Sequence, residues 1–285
     1  MFSRIFAFRH VTWPLDGFDT IERPPGSQLR RRFPIRFLRY WFLRRLLEEQ
    51  AAKLGRPIAV LEVGIGGGNV PAFLGGKQVD GKRRERPEWI ARWDGLDVVR
   101  QDLADENFAY SNYIHADIEK PFEKELGRYD AIVMSHVLEH LVEPEAAIQR
   151  LQSTLNANGI LIGGSPTMPT LLAAIHERWL RWKFRSLMDD VHTHRHLSVI
   201  TPNRLRRFAQ KQGMSVDLLT GTFFCRWSGL FLEDTEWWTR ANLAWGALFP
   251  ALGGEVYFSL RRIGGNPPSS GHAKTRRVSA PTAVS

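Results

Sequence analysis

The residues that could do chemistry in this chain are concentrated around one glycine-rich turn. A short apolar run over 60–63 carries Glu62 and leads directly into Gly64 and Gly66, with two more glycines at 67 and 68. Because glycine has no Cβ, such a turn can adopt positive φ angles and press its backbone against a ligand. A strand, a glycine turn and a helix in this order are typical of the nucleotide-binding edge of an α/β sheet.

Three interpretations of this turn compete. A phosphate-binding P-loop needs Lys and then Ser or Thr after its last glycine, but Gly68 is followed by Asn69 and Val70, which excludes it. A dinucleotide site needs G-x-G-x-x-G, and its third glycine would fall on Asn69. The third interpretation is a site for S-adenosylmethionine. That ligand has no pyrophosphate, but it needs close backbone approach and a nearby acid, and Glu62 stands where that acid would be.

Two more acids follow predicted strands farther along the chain. Asp97 lies near the end of the strand predicted over 93–99. Its two carboxylate oxygens could accept hydrogen bonds from both ribose hydroxyls of a nucleotide. NAD and S-adenosylmethionine share that ribose, so Asp97 does not separate the two ligands. Asp117 is near the end of the strand predicted over 113–118 and could accept from an adenine amino group.

Hydrophobic periodicity and turn residues place the other elements. Further strands are predicted over 129–134, 159–164, 214–219 and 256–261. Helices are predicted over 34–54, 142–155, 170–184 and 202–212. The last two strands would be the sixth and seventh strands of one sheet.

The order of these motifs resembles that of a known family. Residues from about 58 to 164 resemble the class I S-adenosylmethionine-dependent methyltransferases, in the small-molecule branch that includes the ubiquinone-biosynthesis O-methyltransferases. The motifs that carry the resemblance occur in family order at 62–68, Asp97, 117–122 and 129–140. The stretch 196–205 also resembles the segment before the last helix of that branch.

The resemblance implies a fold and a cofactor. The fold is α/β: a Rossmann-like, seven-stranded, mostly parallel sheet with helices on both faces and an antiparallel final strand. The cofactor is S-adenosyl-L-methionine. Two departures are visible: the ubiquinone-type enzymes carry an acid where His136 stands, and the link 75–92 is longer and more charged than usual.

The resemblance also implies roles for individual positions. The backbone of Gly64 and Gly66 would contact the methionyl part of the cofactor, and Glu62 would help to fix its ammonium. Asp97 would bind the ribose hydroxyls. Asp117 and the backbone of Ile118 would bind adenine. Ser135 and His136 would line the exit of the fourth strand, near the sulfonium and the acceptor.

Histidines are the candidate catalytic residues, because an oxygen acceptor must lose a proton and histidine suits that task at neutral pH. His136 is the best placed, and a hydrogen bond to the cofactor is its alternative role. His194 is the second candidate, in the run 192–196 that holds three alternating histidines. Glu139 and His140 follow His136 by one helical turn; a metal is conceivable there, but a structural role is preferred and no metal is predicted.

Composition narrows the class of protein. The chain has 285 residues, with 43% hydrophobic and 24% charged, which is ordinary for a globular domain. Its formal net charge of +9 indicates an anionic partner, either nucleic acid or a membrane surface, unless the charge only reflects a surplus of arginine in the terminal extensions. No nucleic-acid-binding module is visible, so nucleic acid is not favoured. A single cysteine, Cys225, and the lack of an apolar signal segment favour a cytoplasmic protein with peripheral membrane contact left open.

The sequence therefore predicts methyl transfer to a small-molecule or lipid-linked acceptor, most simply at oxygen. Methylation of RNA or another macromolecule is the nearest alternative, followed by a cofactor-binding partner protein without catalysis and, distantly, a dehydrogenase. The predicted organisation is an N-terminal arm and helix over 1–54, a methyltransferase domain over 55–263 and a disordered tail over 264–285. An aromatic block over about 222–254 could cover an acceptor, form a dimer face or touch a membrane. The oligomeric state is left open.

Overall fold

The computed structural model describes residues 8–19, 30–66, 68–74, 86–99, 110–183, 196–223 and 229–263. The strands are β1 (Ile58–Val63), β2 (Ile90–Asp97), β3 (Asn112–His115), β4 (Tyr129–Ser135), β5 (Leu155–Pro166), β6 (Met214–Thr222) and β7 (Glu255–Arg262). The helices are α1 (Leu38–Leu54), α2 (Asn69–Leu74), α3 (Pro144–Gln152), α4 (Thr170–Lys183), α5 (Pro202–Lys211) and α6 (Glu236–Leu248). Among these residues, no helix is both long enough and apolar enough to cross a bilayer.

The strands form one seven-stranded sheet in the order β3-β2-β1-β4-β5-β7-β6. The pairings among β1 to β5 are parallel, and β7 runs antiparallel to both of its neighbours. This confirms the predicted fold class, including the antiparallel final strand. The chain order reverses between β1 and β4, and ligands of open α/β sheets bind at such a switch point, outside the carboxyl ends of the strands.

The central strands are apolar on both faces because helices cover both sides of the sheet. One hydrophobic cluster joins α1, α2 and Leu243 of α6 to the sheet, and a second joins α3 and α5 to its other face. Trp41 and Phe42 of α1 are fully buried, and Phe42 stacks on Tyr257 of β7 with ring centroids 4.5 Å apart. The helix predicted over 34–54 is thus packed on the sheet, and it ends at Gly55, which has a φ of +65°.

Most elements differ from their predicted bounds by up to four residues. At one junction, α3 ends at Gln152 rather than 155, and β5 begins at Leu155 rather than 159. Asn158 has a φ of +62°, and the β4–β5 register shifts between Tyr129 and Ala131, so an irregular part of β5 occupies the stretch between the predicted helix and the predicted strand. The aromatic block contains α6, and the predicted tail over 264–285 lies outside the described residues.

Candidate functional site

The glycine turn after β1 has the backbone geometry that close ligand approach requires. Gly64, Gly66 and Gly68 have φ angles of +71°, +47° and +66°, which residues with a Cβ rarely adopt. A Cβ on Gly64 would lie 2.5 Å from Val137 Cγ2, whereas a Cβ on Gly66 would meet no described atom within 4 Å. Packing inside the protein therefore requires glycine at 64, and Gly66 presents bare backbone to open space.

Glu62, two residues before the turn, is a buried acid that accepts a hydrogen bond from Tyr110. Glu62 is 2% exposed, and the Tyr110 hydroxyl donates to Glu62 Oε2 at 2.7 Å. Burial raises the pKa of Glu62 from 4.5 to about 8, although the hydrogen bond from Tyr110 opposes that rise. A carboxyl group with this pKa keeps its proton at neutral pH until a cation pairs with it.

Asp97 stands beside the glycine turn at the end of β2. Its Oδ2 accepts from Gly66 N at 3.3 Å, and its Oδ1 accepts from Val99 N at 2.9 Å. The carboxyl ends of β1 and β2 meet here, with Val63 opposite Leu96 in the parallel ladder. The half-buried carboxylate thus offers two oxygens at the mouth of the turn, as the sequence pattern indicates.

Asp117 and Ile118 follow β3 at the same edge of the sheet. Asp97 pairs with His115 in the ladder, so Asp117 lies two residues beyond Asp97's partner. Asp117 Oδ1 accepts from Glu119 N at 2.9 Å, and Asp117 also helps to line a groove of about 1000 Å³ that runs along β3. The described lining of this groove does not include the glycine turn.

These features fit the chemistry of S-adenosylmethionine, the cofactor that the resemblance implies. The open space before Gly66 leaves room for a ligand against the backbone. Glu62 holds a buried carboxyl group that an ammonium could ionise. Asp97 offers two acceptor oxygens, which match the two adjacent donors of a ribose diol.

The next part of the edge begins where β4 ends at Ser135. Ser135 pairs with Gly164 of β5, and His136 N donates to Gly164 O at 2.8 Å, so the pairing continues past the strand. His136 has a φ of +56°, a left-handed conformation that costs a non-glycine residue roughly 1–2 kcal/mol. Strain of this kind is concentrated at functional sites, and here it accompanies a side chain that lies between two acids.

Those acids are Glu139 and Glu255, and both are buried. His136 Nδ1 lies 3.1 Å from Glu139 Oε1, and His136 Nε2 lies 3.4 Å from Glu255 Oε1. Within the described ranges, neither His136 Nε2 nor Glu139 Oε1 has a partner with hydrogen-bond geometry. The two contacts are therefore ion-pair contacts, and both atoms retain hydrogen-bonding capacity for a ligand.

Glu255, the first residue of β7, links this group to the N-terminal helix. Arg39 of α1 donates through Nη2 to Glu255 Oε1 at 3.1 Å, and the Tyr257 hydroxyl donates to Glu255 Oε2. On the other side, the Ser165 hydroxyl donates to Glu139 Oε2 at 2.7 Å. We call four of these residues the charged cluster: Arg39, His136, Glu139 and Glu255.

The contacts within the charged cluster decide its protonation. Burial acts to lower the pKa of His136, but Glu139 and Glu255 outweigh it and hold that pKa above 6.5. Burial acts to raise the pKa of Glu255, but His136 and Arg39 outweigh it and hold that pKa at about 2. The pKa of Glu139 is lowered against the effect of burial, chiefly by His136. At neutral pH both acids are ionised, and His136 binds a proton more tightly than a free histidine.

Glu139 also belongs to a group of potential metal ligands. Glu139, His140 and His196 each offer a ligand atom within 4.8 Å of the others, and this is the one such group that the described residues form. The rings of His140 and His196 have centroids 5.1 Å apart. Leu197 N donates to Glu139 O at 2.7 Å, which fixes the segment after His196 against this turn. These three residues are the ones that could hold a metal.

The structure thus brings most of the predicted site residues to one edge of the sheet. His194, the second predicted catalytic residue, lies outside the described residues, as does His192. Sequence reasoning missed Tyr110, Arg39 and Glu255. A signal existed for Glu255, since an acid directly before the apolar strand 256–260 and after two glycines is unusual, whereas Arg39 was one of several arginines in its helix.

Comparisons with known proteins identify the family and agree with the fold. A family profile described as a methyltransferase domain matches residues 35–219. No curated protein matches the chain. Among solved structures, the selenomethionine-substituted CurJ carbon methyltransferase is 15% identical with a TM-score of 0.50, over 79% of this chain and 54% of that one. This chain therefore spans about half the length of that structure.

Two further solved structures illustrate the range of similar proteins. The plantazolicin methyltransferase BpumL in complex with SAH is 16% identical, over 80% of this chain and 85% of that one, with a TM-score of 0.47. Magnesium protoporphyrin IX methyltransferase (ChlM) from Synechocystis PCC 6803, with bound SAH, is 14% identical over 77% and 83%, with a TM-score of 0.43. At identities under 25% the likeness concerns the fold alone, and of the three only the first reaches a TM-score of 0.50.

Proposed function

Because the chain belongs to the methyltransferase domain family, it is an S-adenosylmethionine-dependent methyltransferase, and we propose that it methylates an oxygen atom of a small-molecule or lipid-linked acceptor. The proposal groups it with the ubiquinone-biosynthesis type of O-methyltransferase that its motifs resemble. The observation that carries the proposal is His136, a histidine with a raised pKa at the carboxyl edge of β4. An oxygen acceptor must lose a proton during methylation, so it needs a base at that place.

The proposed cofactor site occupies the carboxyl ends of β1 to β3. The backbone at Gly64 and Gly66 would lie against the methionyl part, with Glu62 paired to its ammonium. Asp97 would accept from the two ribose hydroxyls. The residues proposed for the remaining contacts are Asp117 and Ile118 at adenine and Ser135 near the sulfonium. When bound, the cofactor supplies a methyl group that is already activated, so the chain's task is to position and desolvate the reactants.

The charged cluster supplies the proton chemistry in this proposal. His136 Nε2, which has no hydrogen-bond partner in the described structure, would take the proton of the acceptor hydroxyl when the imidazole is neutral, a form whose share grows as pH rises. Glu139, 3.1 Å from Nδ1, would stabilise the imidazolium that results. The acceptor oxygen then forms its bond to the methyl carbon as the bond from that carbon to sulfur breaks. His194 remains a second proposed catalytic residue, on the strength of its sequence position.

The proposed organisation keeps the predicted divisions, with an arm and helix over 1–54, the catalytic domain over 55–263 and the tail over 264–285. Arg39 of α1 contacts Glu255, so the N-terminal helix contributes to the acceptor side of the site. We include a cytoplasmic location with peripheral membrane contact in the proposal. Small-molecule or lipid-linked acceptors are favoured over nucleic acid, since the proposed base, His136, lies between two buried acids.

Transfer of a labelled methyl group tests this proposal. The full chain would be incubated with labelled S-adenosylmethionine and a panel of phenols, prenylated phenols, amines and RNA. We expect product only from hydroxyl acceptors, and we expect His136→Asn to lower kcat roughly 10²- to 10⁴-fold without weakening cofactor binding. His176→Asn, a histidine of α4 away from the charged cluster, is the matched control. Methylation of amines or RNA alone, or full activity of His136→Asn, would overturn the proposal.

A further inference from the structure

Helix α4 presents an unusual surface to solvent. Five large apolar side chains of this helix are between 45% and 83% exposed: Leu171, Leu172, Ile175, Trp179 and Trp182. At 100° per residue, these five positions fall within an arc of about 100° on the helix. A water-facing helix surface is normally polar, so a continuous stripe of this kind marks an interaction site. We call these five residues the apolar face of α4.

The rest of α4 shows that the apolar face is not the side that packs on the protein. Ala173 and Leu180 are buried on the other side, where they cluster with Val199. Glu177, also away from the apolar face, has a carboxylate oxygen 3.2 Å from Arg204 Nη1 of α5. The helix is therefore anchored through one side, and its apolar face points away from the packed side.

Basic side chains are exposed on α4 itself and on the neighbouring α5. Arg178 and Lys183 of α4 are exposed, and Lys183 Nζ lies 4.6 Å from the centroid of the Trp179 ring. The neighbouring α5 contains no acid, and three of its basic side chains are exposed: Arg206, Arg207 and Lys211. A helix with tryptophan and leucine on one side and lysine or arginine beside them is typical of a helix that lies in the interface of an anionic bilayer.

The apolar face begins next to the acceptor side of the proposed site. α4 starts four residues after β5 ends at Pro166, and Thr167 N donates to Gly254 O at 3.3 Å, directly before Glu255 of the charged cluster. In the turn that leads to Gly254, Phe249 and Leu252 are also exposed. A surface that bound the start of α4 and the turn over 249–254 would therefore lie close to the charged cluster, where an acceptor would enter.

We propose that the apolar face of α4 docks the protein on an anionic lipid surface and so presents the site to a lipid-linked acceptor. The second part rests on the proposed function, whereas the docking itself rests on the face and its charge. A second copy of the chain is a poorer occupant, because a face-to-face pair would bring the basic residues of two α4–α5 units together. An anionic bilayer instead matches both the apolar face and the surrounding cations.

Vesicle binding of the full chain tests the docking. The probes are vesicles of phosphatidylcholine with a minority of phosphatidylglycerol, and of phosphatidylcholine alone. We expect binding to the anionic vesicles that weakens as salt is raised, and weaker binding to the neutral ones. Ile175→Gln with Trp182→Gln should reduce the partition coefficient at least tenfold, since both side chains would be buried in the bilayer. Ile263 directly follows β7, at the end of the sheet away from the carboxyl ends of the parallel strands. Ile263→Gln removes an exposed apolar side chain there and should leave vesicle binding unchanged.

The outcomes separate docking from catalysis. Calorimetric binding of S-adenosylmethionine without lipid should be the same for the wild type and the double variant, which also shows that the variant is folded. Docking is overturned by a wild type that does not bind anionic vesicles, by equal binding of the double variant, or by a dimer that only the double variant loses. If vesicles bind as expected but no hydroxyl acceptor is methylated, the proposed function fails and the docking stands.

Discussion

The buried carboxyl group of Glu62 should make cofactor binding depend on pH. With a pKa of about 8, Glu62 is mostly protonated between pH 6 and 7.5 in the free protein. Pairing with the methionyl ammonium needs the ionised form, and an opposite charge within a few ångströms lowers a carboxyl pKa by roughly one to three units. By linkage, affinity for S-adenosylmethionine should rise about threefold from pH 6 to 7.5 for a one-unit drop and about twentyfold for a three-unit drop.

Calorimetry in two buffers of different ionisation enthalpy measures this effect, because it reports both the affinity and the protons released on binding. We expect the wild type to release a fraction of a proton across this range. Glu62→Gln should release none and should lose the rise in affinity. Tyr110→Phe removes the hydrogen bond that opposes the raised pKa of Glu62, so its affinity profile should move to higher pH. The range stops at pH 7.5 because the cofactor's own amino group titrates near 7.7–8.0.

Glu62 should also make the folding stability of the free protein fall as pH rises, whereas its cofactor affinity rises. The folded-state pKa of this acid is raised, so its contribution to stability is greatest below 4.5 and is lost as pH rises toward 8. At about 1.36 kcal/mol per unit, the full shift from 4.5 to about 8 corresponds to about 5 kcal/mol. Glu62→Gln should gain stability relative to the wild type across that range. A wild type whose cofactor affinity and proton release are both independent of pH would exclude a protonated Glu62 in the free protein, and so would an equal rise of affinity with pH in Glu62→Gln. Asp94 is another buried acid, in β2, and the control Asp94→Asn should keep the rise of cofactor affinity with pH.

Other substitutions separate packing from chemistry. Gly66→Ala should cost roughly 1–2 kcal/mol in thermal unfolding, because of its positive φ, but should weaken cofactor binding more than tenfold by filling the open space. Glu139→Gln should lower the pKa of His136, so the pH–rate profile of methyl transfer should move to lower pH while kcat falls. An unchanged profile would contradict the proposed role of Glu139 beside His136. Glu255→Gln should destabilise the protein by about 3–5 kcal/mol in urea at pH 7, since it leaves Arg39 without its buried counter-charge and leaves His136 with Glu139 alone. In the wild type that contribution should disappear as pH falls from 4.5 toward 2, which acid unfolding of the two proteins would show.

The cofactor edge could be predicted from sequence because its determinants are local. An apolar run that ends in an acid and a glycine turn specifies both a buried strand and its exit. Parallel neighbours then bring the ends of such strands together. Glu62, Gly66 and Asp97 needed no more than this rule, and the structure places Asp97 Oδ2 3.3 Å from Gly66 N. The antiparallel last strand was predicted from the family resemblance rather than from local pattern.

The charged cluster could not be predicted in this way because its members are far apart in sequence. Arg39, His136 and Glu255 meet only after α1 packs on the sheet and β7 inserts between β5 and β6. Each is ambiguous alone: an arginine among arginines, a histidine after a strand and an acid after two glycines. The same limit applies to α4, whose periodicity predicts a helix but does not show that Ile175 and Trp182 face outward.

Asp97 should bind the ribose of a cofactor held at the glycine turn, and calorimetric titration of Asp97→Ala with S-adenosylmethionine measures that contribution. Glu236→Ala, an exposed acid at the start of α6, which packs on β6 at the other edge of the sheet, is the matched control. We expect tight binding by the wild type and the control, and loss of binding by Asp97→Ala with an unchanged unfolding transition. Unchanged affinity of a folded Asp97→Ala would exclude Asp97 as a ribose ligand.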